Sequence, residues 1–87
     1  MTDASPLQFP CSFPIKAMGR AGGDFEGQVV AIVRRHAPDL GEGAVRTRQS
    51  AAGSYLSVTV NVRARSRDQL DAIYRDLTAC EQVLMAL

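Results

Sequence analysis

Residues 56–64, with the sequence LSVTVNVRA, alternate between apolar and polar side chains without interruption. The apolar set is Leu56, Val58, Val60, Val62 and Ala64, and the polar set is Ser57, Thr59, Asn61 and Arg63. A period of two is typical of a β-strand with one face buried and the other exposed to water. This stretch therefore predicts a central strand of a sheet that is covered on one side only.

Three further strands are predicted around this one. The first begins at Ile15 or just before it and ends at Gly19. Pro14 has no backbone N–H to donate, so it favours the start or the edge of a strand. Residues 45–49 form a short edge strand with few apolar side chains, and a turn around Gly53 joins it to the alternating strand. Residues 83–87 form the last strand, with Val83, Met85 and Leu87 on one face.

Two helices are predicted from apolar spacing and capping residues. Asp24 caps the first helix, which ends in the run from Arg34 to Pro38, since proline cannot continue a helix. Ser66 caps the second helix, and Gln69 completes a capping box. The predicted buried stripes are Phe25, Val29, Ile32 and Val33 in the first helix, and Leu70, Ile73, Tyr74 and Leu77 in the second.

The order strand, helix, strand, strand, helix, strand predicts an α+β ferredoxin-like sandwich. Its antiparallel sheet has the spatial order 4-1-3-2, and both helices pack on one face. The chain of 87 residues has room for one such domain, over residues 9–87, preceded by a flexible tail over residues 1–8.

Composition excludes several classes of protein. No apolar run approaches the roughly 20 residues of a membrane span, and the first residues lack the pattern of a signal peptide, so we expect a cytoplasmic protein. Cys11 and Cys80 have no close-spaced partner, which predicts two reduced thiols and neither a metal site nor a redox pair. No cofactor is expected.

The glycine-rich turn after the first strand is a candidate ligand site. Its backbone N–H groups could bind an anion at the start of the helix, although the Lys and Ser/Thr of a phosphate-binding P-loop are missing. A plain strand-to-helix turn is the alternative interpretation. The candidate ligand-binding residues are Lys16, Gly19, Arg20, Gly22, Gly23 and His36. For His36, a C-terminal helix position that bonds the last carbonyls is the competing interpretation.

The basic hairpin is the second candidate. Residues 43–67 contain five arginines and no acidic residue, although the formal net charge of the whole chain is only +1. The outer sheet face would gather Lys16 with Met18, Arg46, Arg48, Tyr55, Ser57, Thr59, Asn61 and Arg63. We expect an interaction face here, while edge protection by arginine is the alternative.

Two further functions remain as alternatives. A weak RNA or anion binder would use the basic hairpin, but an RNA-binding sheet needs two or three stacking aromatics and Tyr55 stands alone. An acylphosphatase-like hydrolase would use Arg20, with Asn61 positioning a water molecule. No catalytic set is otherwise present, because His36 is the only histidine. We therefore expect no enzyme activity.

Several stretches together resemble the YbeD-like family of small bacterial proteins. They are Phe9-Pro10 with Phe13, residues 16–19, Val33 with residues 36–38, Ser50 with residues 53–55 and 57–59, and residues 83–87. The resemblance implies a ferredoxin-like sandwich similar to the ACT regulatory domains, with no established activity. It also implies proximity of the genes to those for lipoate attachment, which hints at regulation.

The sequence thus predicts a small regulatory or interaction module. It would pair with a copy of itself or with a partner protein, and it would sense a small ligand near residues 19–24. A nucleic acid partner is the less favoured alternative, and no membrane contact is expected.

Overall fold

The sheet has the strand order β2-β3-β1-β4, which confirms the predicted ferredoxin-like topology. The computed structural model describes residues 8–87, so the predicted tail, apart from Gln8, lies outside the described residues. The elements are β1 (Cys11–Arg20), α1 (Phe25–His36), a 3₁₀ turn (Glu42–Ala44), β2 (Val45–Gln49), β3 (Tyr55–Ala64), α2 (Arg67–Ala79) and β4 (Met85–Ala86). No helix in the described part of the chain is long and apolar enough to cross a membrane.

The alternating stretch of β3 lies at the centre of the core, as predicted. Val58, Val60 and Val62 are fully buried, and the core-facing residues of β1 lie opposite them, with Ile15 facing Val60. β1 and β3 pair antiparallel over ten residues each, from Cys11 opposite Ala64 to Arg20 opposite Tyr55. This long pairing fixes which side chains share a face.

Both helices cover the apolar face of the sheet with the predicted stripes. Phe25, Val29, Ile32 and Val33 of α1 are buried, and so are Leu70, Ile73 and Leu77 of α2, while Tyr74 is partly buried. The predicted caps form as well. The Asp24 carboxylate accepts a hydrogen bond from the N–H of Gly27, and the Ser66 hydroxyl accepts one from the N–H of Gln69 at 3.1 Å.

β1 begins at Cys11, four residues before the predicted start, and it includes Pro14. The N–H of Lys16 donates to Leu87 on the β4 side, and by alternation the nitrogen of Pro14 points to that same side. β4 and Leu87 pair with residues 16–18 only, so among the described residues Pro14 lies beyond their reach. Pro14 is tolerated because, among the described residues, its missing N–H faces no neighbouring strand to which it could donate.

β4 is shorter than the predicted 83–87. The N–H of Val83 donates to the carbonyl of Cys80 at 3.0 Å, so Val83 belongs to the turn after α2. Val83 packs against the core, whereas Met85 and Leu87 are 51% and 61% exposed. The prediction that all three share one face is therefore wrong for Val83.

Gln69 departs from the predicted capping box. Its side-chain oxygen accepts from the N–H of Arg65 at 2.6 Å, one residue before the expected Ser66, and its amide nitrogen donates to the carbonyl of His36 at 2.7 Å. Gln69 thus joins the start of α2 to the end of α1.

A charge at the centre of β3 is expected to unfold the protein. Val60→Asp buries a carboxylate at a position with no exposure, at a cost of several kcal/mol against a typical domain stability of about 5–15 kcal/mol. Asn61→Asp, on the exposed face one residue away, is the control and should melt within a few degrees of the unchanged protein. Thermal unfolding followed by circular dichroism measures both. A cooperative transition near the original temperature for Val60→Asp would contradict the assigned register.

Candidate functional site

The sheet face that points away from α1 and α2 is uncovered in the described structure. The structure places the predicted interaction residues together on this face: Met18, Arg46, Arg48, Tyr55, Ser57, Thr59, Asn61 and Arg63, with Lys16 beside them. Together with Ser12, Pro14, Arg20, Met85 and Leu87, they make up the surface that we call the open face.

Cross-strand register sets the arrangement on this face. Thr59 lies between Arg46 of β2 and Lys16 of β1, and Ser57 lies between Arg48 and Met18. Directly opposed residues in antiparallel strands have Cβ atoms about 4.5–5.5 Å apart. Cations from both neighbouring strands therefore flank the hydroxyl groups of β3.

Five residues of the open face were not predicted from the sequence. They are Ser12, Pro14 and Arg20 of β1, and Met85 with Leu87 at the last strand. The period-two alternation of these two strands is the signal that could have found them. Met85 pairs with Met18, which extends an apolar margin from Met18 to the edge of the sheet.

The charge on the open face has a single sign. The four strands contain five basic residues and no acidic one, and all five basic residues lie on this face: Lys16, Arg20, Arg46, Arg48 and Arg63. Ion pairs within residues 8–87 involve only Arg35, His36 and Arg65, with Asp76 and Asp39. The cations of the open face therefore have no intramolecular counter-charge within salt-bridge distance in that range.

Two contiguous hollows lie on the open face. The basic hollow, of about 520 Å³, is lined by Lys16, Arg46, Thr47, Arg48, Ser57 and Thr59. The apolar hollow, of about 200 Å³, lies around Met18, Tyr55 and Leu56. Lys16, Arg48 and Ser57 line both hollows, so one bound segment can occupy both.

The glycine-rich turn borders a separate open cleft of about 450 Å³. Arg20, Gly22 and Gly23 line it as expected, but the carboxylates of Asp24 and Glu81 line it too. Gly22 and Gly23 have φ values of 118° and 62°, a backbone conformation that favours glycine. One cation beside two carboxylates does not favour an anion, and the two glycines are explained by the backbone of the turn.

Gly19 has a packing role within this turn. It is buried on the core side of β1, and a Cβ there would lie 2.5 Å from the carbonyl oxygen of Gln82 and closer still to the ring of Phe25. The chain before β4 and the first residue of α1 thus both approach the backbone of Gly19.

The structure does not bring Lys16 and His36 to the glycine-rich turn. Lys16 lies on the open face, and His36 is at the far end of α1, about 18 Å along a helix of 12 residues. The His36 ring nitrogen Nε2 lies 2.7 Å from the carboxylate of Asp76 in α2. His36 therefore links the two helices, and its ring bonds Asp76 instead of the last carbonyls of its own helix.

The hydrolase arrangement also lacks the required proximity. Arg20 lies opposite Tyr55, and Asn61 is six residues further along β3, which is about 20 Å in a strand. Arg20 and Asn61 cannot act on the same phosphoryl group over that separation.

The fold and the open face together define a small α+β sandwich whose basic sheet face is left uncovered by residues 8–87. A family model described as "Protein of unknown function (DUF493)" matches residues 4–87, and the chain belongs to this family. A UPF0250 protein of Neisseria gonorrhoeae is 45% identical over 84 residues, covering 97% of this chain and 92% of the relative. A UPF0250 protein of Nitrosomonas europaea is 41% identical over 87 residues, covering the whole of both chains. A third, from Ralstonia nicotianae, is 45% identical over 83 residues, covering 95% of this chain and 86% of the relative.

These similarities confirm the family resemblance seen in the sequence. The relatives align with nearly the whole length of the chain and over most or all of their own length. The names of these relatives state no activity.

Gly19→Ala should destabilise the fold without touching the open face. The added methyl group meets the Gln82 carbonyl and the Phe25 ring, and overpacking of this kind costs roughly 1–3 kcal/mol. Gly41→Ala is the matched control, because no atom lies within 4 Å of its added Cβ. Chemical denaturation gives both free energies of unfolding. Equal stabilities for the two variants would disprove the close approach at Gly19.

The Asp76 carboxyl should make folding stability depend on pH in the acid range. The hydrogen bond from His36 holds the pKa of Asp76 below its usual range, helped by the charges of Arg35 and Arg75 and opposed by burial. The unfolded state therefore binds more protons than the folded state below about pH 4, so stability is lost as pH falls through the folded pKa.

Asp76→Asn should consequently be less stable than the unchanged protein at pH 6, and the difference should shrink toward pH 3. Asp71→Asn removes an equal charge from the same helix, and Asp71 makes no ion pair within 4 Å in the described structure. Urea unfolding at several pH values makes the comparison. A stability difference for Asp76→Asn that stays constant with pH would refute this role.

Proposed function

We propose that the protein is a non-catalytic module that regulates a partner protein by binding an acidic surface of that partner through the open face. The observation that carries this proposal is the set of five basic side chains on the open face, without any acidic residue in the four strands. A cytoplasmic location, expected from the sequence, is part of the same proposal.

Electrostatics favours an acidic partner. The basic side chains repel one another on the free protein, and carboxylates of a partner relieve that repulsion. Complementary charge mainly raises the association rate and selects the partner, while each exposed pair adds little affinity. Binding should therefore weaken as salt is raised.

The same charges disfavour face-to-face pairing of two copies of this chain. A second copy would place arginines opposite arginines, and like charges facing each other across an interface cost several kcal/mol. Of the two partners expected from the sequence, a different protein is therefore favoured over a copy of the same one.

The open face is a poor surface for RNA bases. RNA-binding sheets stack two or three bases on aromatic side chains, and Tyr55 is the one aromatic residue of the open face. Ligand sensing at the glycine-rich turn has less support, because Asp24 and Glu81 both line that cleft. The proposal rests on the open face alone.

The test compares two double variants of equal charge. Arg46→Ala with Arg48→Ala alters the open face, and Arg67→Ala with Arg75→Ala alters exposed positions of α2. The probe is fluorescent poly-L-glutamate of about 20 residues, with binding measured by anisotropy across a salt series. We expect the open-face variant to raise Kd about tenfold or more, corresponding to several lost charge contacts, and the α2 variant to change it less than twofold.

Two results would overturn the proposal. One is an equal loss of poly-L-glutamate binding in both double variants, which would mean that the protein binds polyanions without using the open face. The other is tighter binding of a single-stranded RNA of similar charge than of poly-L-glutamate at the same salt concentration. Melting temperatures of both variants confirm that each remains folded.

A further inference from the structure

The two contiguous hollows of the open face restrict the kind of acidic partner that fits. The basic hollow lies at the level of Ser57 and Thr59, and the apolar hollow lies at the level of Tyr55 and Ser57. Successive residues on one face of a strand are about 7 Å apart, so the centres of the two hollows are offset by about that distance along β3.

The basic hollow can bind carboxylates from several directions at once. Arg46 and Arg48 approach from β2 and Lys16 from β1, while Ser57 and Thr59 offer hydroxyl groups between them. Neither hydroxyl makes a side-chain hydrogen bond within residues 8–87. Donors are therefore free for an incoming anion.

The apolar hollow can take one bulky side chain. Tyr55 is 47% exposed, and Met18, its diagonal neighbour on β1, is partly buried. Tyrosine and arginine are, with tryptophan, enriched among the side chains that dominate binding energy in interfaces, and methionine adapts to irregular partners. An apolar group placed here would add affinity that is insensitive to salt.

Both hollows are partly open to solvent, which favours side chains that project from a larger partner. A small molecule bound there would stay largely in water, whereas known small-molecule sites enclose most of the ligand surface. The backbone groups of β3 are used by pairing with β1 and β2, so an extended peptide laid on this face would leave its own N–H and C=O groups unpaired. A helix satisfies those groups internally.

We infer that the open face binds an amphipathic helix of an acidic partner protein, with glutamate or aspartate in the basic hollow and one bulky apolar side chain in the apolar hollow. Side chains four residues apart on a helix are about 5–6 Å apart, close to the offset between the hollows. The partner helix would lie on the opposite side of the sheet from α1 and α2. This inference rests on the proposed function and specifies the shape of its partner.

The experiment uses two synthetic peptides of about 18 residues with identical composition. In the first, glutamates and leucines four residues apart share one side of the helix, and in the second the order is permuted so that they lie on opposite sides. Fluorescence anisotropy gives the Kd of each, and amide chemical shifts of the labelled protein locate the site. We expect the first peptide to bind about tenfold more tightly, with shifts confined to β1, β2 and β3.

Met18→Ala with Tyr55→Ala should reduce that preference to less than twofold, and because all five basic side chains of the open face remain, it should weaken poly-L-glutamate binding less than Arg46→Ala with Arg48→Ala does. Leu84→Ala is the control, because it removes an exposed apolar side chain that belongs neither to the open face nor to either hollow, and it should keep the preference. Equal affinity for the two peptides, absence of binding by either, or shifts centred on the helices would each overturn the inference. If poly-L-glutamate still binds the open face in those cases, the proposed function stands and only the helix geometry is wrong.

Discussion

The structure depends on the burial of one face of β3 beneath two helices. Val58, Val60 and Val62 have no exposed surface, and the residues of β1 that lie opposite them complete the floor of the core. Because a small chain has few apolar side chains, α1 and α2 both have to lie on that floor for the core to close. The other face of the sheet is then left to polar side chains.

The separation of charge follows from this layering. Acidic residues of the described structure lie in the helices and loops, where Asp24 caps α1 and Asp76 of α2 binds His36 of α1. The basic residues of the strands, in contrast, all lie on the open face. The two sides of the molecule therefore differ in electrostatic character although the net charge is only +1. The net charge of the whole chain therefore does not reveal the basic character of the open face, on which the proposed function depends.

Prediction from the sequence was most accurate for the elements that a single physical effect determines. The bounds of β2 and the buried positions of β3 are confirmed, since alternation and turn residues determine them almost alone. The start of β1 could not be predicted, because Pro14 is acceptable only when the neighbouring strand is too short to reach it, and that is a property of the whole sheet. The link from His36 to Asp76 was missed for a similar reason, since the two residues are forty positions apart and meet only when the helices pack. The hollows arise from register between three strands, and no local pattern encodes their shape.

The short last strand leaves part of the sheet edge unpaired among the described residues. β4 covers only part of β1, which leaves the beginning of β1 as a bare edge in the described structure, where another polypeptide could add as an extra strand. Pro14 lies on that edge and offers no hydrogen-bond donor to an incoming chain. A residue that weakens the local β-strand signal in the sequence thus protects the sheet from growing by addition of neighbouring molecules.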